Sequence, residues 1–300
     1  MSELPLIVDV KRHSLEDGPG IRSVVFFKGC PLCCVFCQNP ETQAPGPEIV
    51  FCVEECILCG ACARICPSNA ISLKSEERID RTRCDNCGKC VQVCPGKGLR
   101  RAGASYRVEE LGELLLRDRA FYRHSQGGVT LSGGECTLYP DYLEALLKYL
   151  KPFGVHVVLE TSGFFSYEIF KQKILPYLDM IYYDLKIADP KAHKHFTGQS
   201  NKRIIENLSR LIRESGVQVI PRIPLIPSIT ATRENLEGIA RILKKMGLSN
   251  PVLLPYNPMG ISKFKMIGRP APPIPERFMS CGEEKEFKRL FYQMMPQTNQ

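Results

Sequence analysis

Along most of the chain, short apolar runs alternate with longer amphipathic ones. Six runs are near-continuously apolar: 21–29 (IRSVVFFKG), 128–134 (GVTLSGG), 155–163 (VHVVLETSG), 180–186 (MIYYDLK), 217–227 (VQVIPRIPLIP) and 251–257 (PVLLPYN). Their length and composition predict strands covered on both faces. Between them, apolar residues recur at three- and four-residue spacing over 107–125, 140–153, 166–178, 201–216 and 232–247. That spacing predicts helices, with Thr232 as one N-cap. Strands alternating with helices predict an α/β class with parallel strands. Six units are too few for a closed eight-stranded barrel, so a partial (β/α)6 TIM-like barrel is expected.

The alternation stops between residues 51 and 100, where cysteine spacing takes over. Cys56, Cys59, Cys62 and Cys66 precede Pro67, and Cys84, Cys87, Cys90 and Cys94 precede Pro95, giving C-x2-C-x2-C-x3-C-P twice. In the bacterial ferredoxin run of this form, the fourth cysteine serves the other cluster. Cys56, Cys59, Cys62 and Cys94 are therefore assigned to one [4Fe-4S] cluster, and Cys84, Cys87, Cys90 and Cys66 to a second. Soft thiolates suit iron–sulfur chemistry, whereas structural zinc would want four ligands with a longer gap between pairs. The expected organisation is an inserted ferredoxin-like domain over 51–100, dependent on its clusters to fold, within a discontinuous barrel of 1–50 and 101–300.

Composition sharpens this. The 300 residues are 44% hydrophobic and 24% charged, as in a globular protein with a full core, and the 15 cysteines are odd in number. The opening residues lack a signal peptide's apolar stretch, and no apolar run approaches the roughly 18 residues of a membrane span. Reduced thiols in a cytoplasmic protein are expected, with no membrane partner. The net charge of +8 is spread along the chain. Short basic runs such as GKGLRR read as solvated faces; a basic face with interleaved aromatics, as nucleic-acid binding needs, is not found.

The stretch GCPLCCVFCQNPE (29–41) follows the first strand and offers one convincing ligand set, Cys30-x3-Cys34-x2-Cys37, with Cys33 hard to place on the same cube. Three thiolates on a four-iron cluster leave one iron open to substrate, as on a catalytic zinc. In barrel-like α/β folds chemistry gathers at the carboxyl ends of strands. Ser132–Glu135 (SGGE) end the second strand, Glu160–Gly163 (ETSG) the third and Asp184–Lys186 (DLK) the fourth; Arg222 lies on the fifth and Asn257 ends the sixth. Gly133 and Gly134 let backbone approach a ligand closely, and Glu135 is placed to receive an amino group. Arg222, inside an apolar strand, is placed to pair with a carboxylate or ribose. Cys52, Cys136 and Cys281 have no partner pattern and read as buried thiols. The five histidines form no ligand spacing with the cysteines.

The triad after a strand resembles the radical S-adenosylmethionine superfamily, and DGPGIRSVVFFKGCPL with CQNPE resembles its glycyl-radical-enzyme activating enzymes, of which pyruvate formate-lyase activating enzyme is the best known. The double ferredoxin run resembles the insert of the larger activases. The resemblance implies three [4Fe-4S] clusters and S-adenosylmethionine, reductively cleaved to methionine and a 5'-deoxyadenosyl radical that abstracts hydrogen from a backbone glycine of a partner glycyl radical enzyme. It places Gly133, Gly134 and Glu135 at the methionine amino group. Glu160, Thr161, Asp184 and Lys186 fall near its carboxylate and a monovalent cation, with Glu160 where pyruvate formate-lyase activase has Asp. Asn257 stands where many relatives have histidine, and can hydrogen-bond adenosine but not titrate. Asp17 lies either beside the substrate glycine or in a turn before Gly18. Cys33 and Cys136 stand where relatives carry a basic residue and a proline. The ferredoxin clusters either relay electrons from reduced flavodoxin or ferredoxin or shape a docking surface, and a monomer is expected. A small-molecule radical enzyme shares the triad but not DGPGIR with the insert; a plain electron carrier explains the insert but not the strand-end residues.

Overall fold

The computed structural model describes residues 4–295. These residues form ten strands: β1 (Leu6–Ser14), β2 (Arg22–Phe27), β3 (Glu48–Phe51), β4 (Leu99–Ala102), β5 (Ala104–Ser105), β6 (Gly128–Gly133), β7 (His156–Thr161), β8 (Met180–Asp184), β9 (Gln218–Pro224) and β10 (Val252–Leu254). Eight form one sheet in the order β10-β9-β8-β7-β6-β2-β1-β5. The six expected strands pair in parallel and in chain order. An α/β fold with a mostly parallel sheet is the result. No described helix is long and apolar enough to cross a membrane.

β1 extends the sheet antiparallel to β2, and β5 pairs antiparallel with β1, two strands absent from the expected set. Charges at Asp9, Lys11, Arg12 and His13 obscure β1's alternation, because only its Ile7 and Ser14 are buried. Outside the cysteine-rich segment, three helices among the described residues were likewise not expected: Pro190–Thr197, Met259–Met266 and Cys281–Met294. The single helix expected over 107–125 is two, Val108–Leu116 and Arg119–Ser125. The break falls at Asp118, which leaves helical geometry at ψ 7°. Its buried carboxylate accepts from Arg12 Nε at 2.8 Å and Ser23 Oγ at 2.7 Å, tying β1 and β2 to the break.

The period of two divides the sheet's faces. Val25, Phe27, Val129, Leu131, Val157, Leu159, Ile181, Tyr183 and Ile223 join the main core under the helices. The opposite parity carries Arg22, Thr130, Ser132, Glu160, Tyr182, Asp184 and Arg222, so one face of the sheet is lined with polar groups.

β3 and β4 pair antiparallel as a separate two-stranded sheet bracketing residues 52–98. That lobe has its own small core of Ile49, Phe51, Cys62, Ile79, Cys90 and Leu99. It is tied to the main sheet through Glu48. Fully buried Lys28, just after β2, reaches Glu48 Oε2 at 2.7 Å, and Arg269 reaches Oε1 at 2.8 Å. Arg81 adds a hydrogen bond to the Met266 carbonyl at 3.2 Å.

Removing one member of a buried pair strands the other's charge, which costs about 3 kcal/mol or more. Glu48→Ala is expected to destabilise the protein by about that amount in urea unfolding followed by circular dichroism. Glu48→Asp, which keeps the charge, should lose less.

Candidate functional site

The sequence GCPLCCVFC leaves β2 as a loop, and main-chain hydrogen bonds hold it on every side. Gly29 N donates to Thr42 O at 2.7 Å and Cys30 N to Gln43 O at 3.0 Å. Cys33 N and Val35 N donate to Thr197 O and Phe196 O, at the end of helix Pro190–Thr197. From β6, Gly134 N donates to Phe27 O and Glu135 N to Gly29 O, both at 2.8 Å. A Cβ on Gly134 would stand 2.2 Å from Gly29 O, so glycine is what lets the two loops touch. Lys263 Nζ holds Asn39 Oδ1 at 2.6 Å and Glu41 Oε1 at 3.1 Å, a structural use for the words after the triad.

Cys34 is buried, Cys30 and Cys37 are half-buried, and Cys33 is exposed. The thiol outside the proposed set is thus the one turned to solvent. Burial pushes all three triad thiols up, Cys34 to about 12; Glu135 adds to the rise at Cys30, and Lys186 opposes it at Cys34. Thiols in this state are neutral, and a metal must displace their protons to bind. Among the described residues no three His, Cys, Asp or Glu side chains converge on one ion. A four-iron cube spreads its ligands over separate corners, and three soft donors on one anchored loop fit it.

Facing the triad, the ends of β7, β8 and β9 carry a charge chain. Lys186 Nζ lies 2.8 Å from Asp184 Oδ2, Arg222 Nε 3.1 Å from Asp184 Oδ1, and Arg222 Nη1 2.6 Å from Glu160 Oε1. Ser132 Oγ donates to Glu160 Oε2 at 2.6 Å, and the Arg222 guanidinium lies 4.9 Å over the Tyr182 ring. Burial alone would raise Asp184, but Lys186 and Arg222 outweigh it and hold the carboxyl below its usual range. Two acids and two bases make the chain neutral.

Glu135 and Thr161 bond to each other, and the Glu135 side chain is fully buried. Thr137, Thr161 and Ser162 hydroxyls donate to it at 2.6–2.9 Å, and Ser162 N at 2.9 Å. It ties the β6 loop to the end of β7. Thr161 is spent in that bond and lies on the core parity, opposite Glu160. The residues expected at a monovalent cation therefore do not fit one here: Thr161 faces Glu135, and Glu160 and Asp184 are already neutralised by Arg222 and Lys186.

Asn257 is exposed; its Oδ1 accepts from Met259 N at 2.9 Å, and its carbonyl from Gln38 Nε2 at 2.7 Å, next to Cys37. Asp17 lies in the β1–β2 loop; its carbonyl accepts from Thr130 Oγ1 at 2.7 Å, and its carboxylate from Ser14, with Lys11 at 3.6 Å. Tyr182 and Arg22, on the polar face of the sheet, were not singled out by sequence reasoning; Arg22 carried a signal, a charge opening an apolar strand.

In the lobe, the eight cysteines of the two runs border two small cavities. Cys56, Cys59, Cys62 and Cys94 line one small cavity, and Cys66, Cys84, Cys87 and Cys90 another. Cys59 and Cys87 reach the surface. Of the unassigned thiols, Cys52 and Cys136 are buried as expected, but Cys281 is exposed at the start of its helix.

The model of the radical SAM superfamily matches residues 24–243. The chain is similar to the trans-4-hydroxy-L-proline dehydratase activating enzyme of Clostridioides difficile, 39% identical over 294 residues and covering 96% of each chain. It is 38% identical over 275 residues to the benzylsuccinate synthase activating enzyme of Thauera aromatica, covering 89% of this chain and 83% of that one. A radical SAM methyltransferase from Sphaerobacter thermophilus shares the fold at TM-score 0.55 and 15% identity, over 97% of this chain and 76% of that one. With the superfamily's model spanning residues 24–243 and activating enzymes matched over most of their length at 38–39% identity, the chain belongs to the radical SAM superfamily, among the activating enzymes of glycyl radical enzymes.

Proposed function

We propose that this protein charges a partner glycyl radical enzyme, using S-adenosylmethionine bound between the Cys30–Cys34–Cys37 loop and the charge chain at the ends of β7–β9. The observation that carries this is the juxtaposition itself: three anchored thiols on one side and Lys186, Asp184, Arg222 and Glu160 on the other. Cys30, Cys34 and Cys37 would hold a [4Fe-4S] cluster, and that cluster would supply the electron for reductive cleavage of S-adenosylmethionine to methionine and a 5'-deoxyadenosyl radical, the abstractor of hydrogen from a backbone glycine of the partner.

The chain's own work is binding and orientation. Lys186 and Arg222 offer cations to the cosubstrate's carboxylate, while Asp184 and Glu160 offer acceptors for its amino group. The Gly133–Gly134 backbone, rather than the Glu135 carboxylate, gives close approach. Asn257 offers its amide nitrogen to adenosine. Asp17 stands by the incoming glycine. Each role is a proposal, as is a partial (β/α)6 barrel, supported by six parallel strands in chain order.

The lobe is read as a ferredoxin-like insert with two more clusters, relaying electrons from reduced flavodoxin or ferredoxin. Cys59 and Cys87 at the surface support entry there. The protein is taken to act as a cytoplasmic monomer under anaerobic conditions.

Reconstituted without oxygen, wild type should hold about 12 irons in three clusters and form 5'-deoxyadenosine. Cys30→Ala, Cys34→Ala and Cys37→Ala should each abolish that product, and Cys33→Ala should keep it. A glycyl radical should appear by electron paramagnetic resonance on at least one candidate partner. The candidates are trans-4-hydroxy-L-proline dehydratase, isethionate sulfite-lyase, indoleacetate decarboxylase, choline trimethylamine-lyase and benzylsuccinate synthase, whose activating enzymes are relatives of this chain. No 5'-deoxyadenosine from iron-loaded wild type would sink the reading.

Cys59→Ala and Cys87→Ala should retain turnover driven by dithionite and lose turnover driven by flavodoxin. Full activity with both reductants would leave the insert a scaffold. S-adenosylmethionine affinity, read by anaerobic calorimetry, should be unchanged when potassium and sodium give way to choline. A steep loss would return the cation to the site.

A further inference from the structure

Arg78 lies in the lobe, on the turn that brings Ile71 and Ile79 together as an antiparallel bridge, and is only 5% exposed. The turn is held by Ser72 N donating to Arg78 O at 3.0 Å and Arg78 N to Ser75 O at 3.1 Å. The residue itself stands at φ +62°, an uncommon conformation for a residue with a side chain. The partners of its guanidinium are neutral. Nη1 donates to Ser72 O at 3.2 Å, and the guanidinium carbon lies 5.2 Å over the Phe51 ring. Nε is buried and has no hydrogen-bond partner among the described residues. A cation taken out of water without a carboxylate is costly, and an idle buried donor adds to the cost. Such a side chain calls for an anion, and its surroundings indicate which.

Arg78 lines the small cavity bordered by Cys56, Cys59, Cys62 and Cys94, and among the described residues it is the one charged side chain on that wall. The cavity of the other set differs. Asp85 and Lys89 border it, opposite in sign and both exposed. Arg81 feels Cys84 there, but it feels Glu48 as well, so its charge is answered in place. A buried cation with no counter-charge therefore faces one cysteine set and not the other. Four soft thiolates fit a [4Fe-4S] cluster and make it anionic. Net charge and hydrogen bonds to the sulfurs are among the terms that set its potential. Reduction adds one electron and breaks no bond, so a fixed cation nearby favours the reduced, more negative form.

We propose that Arg78 stabilises the reduced form of the cluster held by Cys56, Cys59, Cys62 and Cys94, raising its potential above that of the second set and making it the lobe's first electron acceptor. The inference rests on the lobe being a two-cluster insert, as read above. The reduced flavodoxin or ferredoxin gives up one electron as the cluster gains one, and no proton moves. The asymmetry between the two halves of the lobe then has a direction, with one charge deciding which half fills first.

The test uses the full-length, iron-loaded protein carrying Cys30→Ala, Cys34→Ala and Cys37→Ala, so that only the lobe's two couples titrate. Iron content and melting temperature report assembly and folding. Anaerobic potentiometric titration followed by electron paramagnetic resonance reports each couple. This parent should hold about eight irons and show two couples. Arg78→Gln should lower the upper couple, its reduction equilibrium falling about tenfold, or about 59 mV for one electron, and leave the lower couple in place. Arg78→Lys, which keeps the charge, should move it less. Arg83→Gln, which removes an exposed and solvent-screened charge, should move neither. Cys59→Ala, which strips a ligand from the first set, should abolish the couple that Arg78→Gln moves. An unmoved upper couple, an equal shift of both, Arg78→Lys shifting as far as Arg78→Gln, or Cys59→Ala removing the other couple overturns the assignment. About four irons in Arg78→Gln with about eight in Arg78→Lys would support it, since charge would then be what holds the cluster; loss from both overturns it. A parent without about eight irons overturns the two-cluster reading, and the inference with it.

Discussion

The main-chain bonds between the cysteine loop and the β6 loop set the geometry on which the site depends. Glu135 N reaches Gly29 O and Gly134 N reaches Phe27 O, so Cys30 begins from a fixed backbone point. That contact requires glycine at 133 and 134: a Cβ at the first would meet Phe27 N at 2.2 Å, and at the second Gly29 O at the same distance. The buried Glu135 carboxylate then carries the constraint to Thr161 and Ser162 at the end of β7. Backbone contact fixes the thiols, and a side-chain strut fixes the strand end opposite them. The acid of the glycine–glycine–glutamate word is thus a brace, and the glycines make the close approach.

Electrostatics follows the same economy. Isolated charges under the triad would be costly in a half-buried site. Glu160, Asp184, Arg222 and Lys186 form a neutral chain whose members are each paired, while remaining near enough to the cysteine loop for Lys186 to act on Cys34. A zwitterionic ligand suits such a chain, because it can exchange one internal pair for two external ones without leaving net charge behind. Arg22 is the exception. It is satisfied by neutral acceptors alone, and burial pulls it down to about 10 while leaving it protonated at neutral pH.

The parallel strands were legible as short, largely apolar runs set between helical periods, although one face of the sheet carries polar groups. The side of the strand that Thr161 takes was readable too: a period of two puts it opposite Glu160, with Val157 and Leu159. Glu135 was not legible, since an acid after two glycines reads alike whether it reaches out or folds back. β1 was hidden by its charges, which an edge-proximal strand tolerates where a central one does not. Asp118 ended a helix whose apolar spacing runs on unbroken, because a buried carboxylate bonded to β1 and β2 outweighs periodicity.

The lobe shows how spacing fixes a backbone while leaving its surface to diverge. Its two halves repeat at 28 residues, and positive φ recurs in register at Leu58 and Asn86, Gly60 and Gly88, and Asn69 and Lys97. For leucine that conformation is strained, so the residue's own preference does not set the turn. Between the first two cysteines of each half, however, stand Ile57 and Leu58 in one case and Asp85 and Asn86 in the other. Asn86 is turned inward, accepting from Ile49 N at 3.3 Å and so joining its half to β3. Ile57 and Leu58 are 65% and 63% exposed. One half is therefore bonded to the strand that Glu48 anchors to Lys28, and the other presents apolar surface beside its cavity. The two cysteine sets share a chain geometry but sit in unlike surroundings, and hydrogen bonding and solvent access are what set the potential of a cluster.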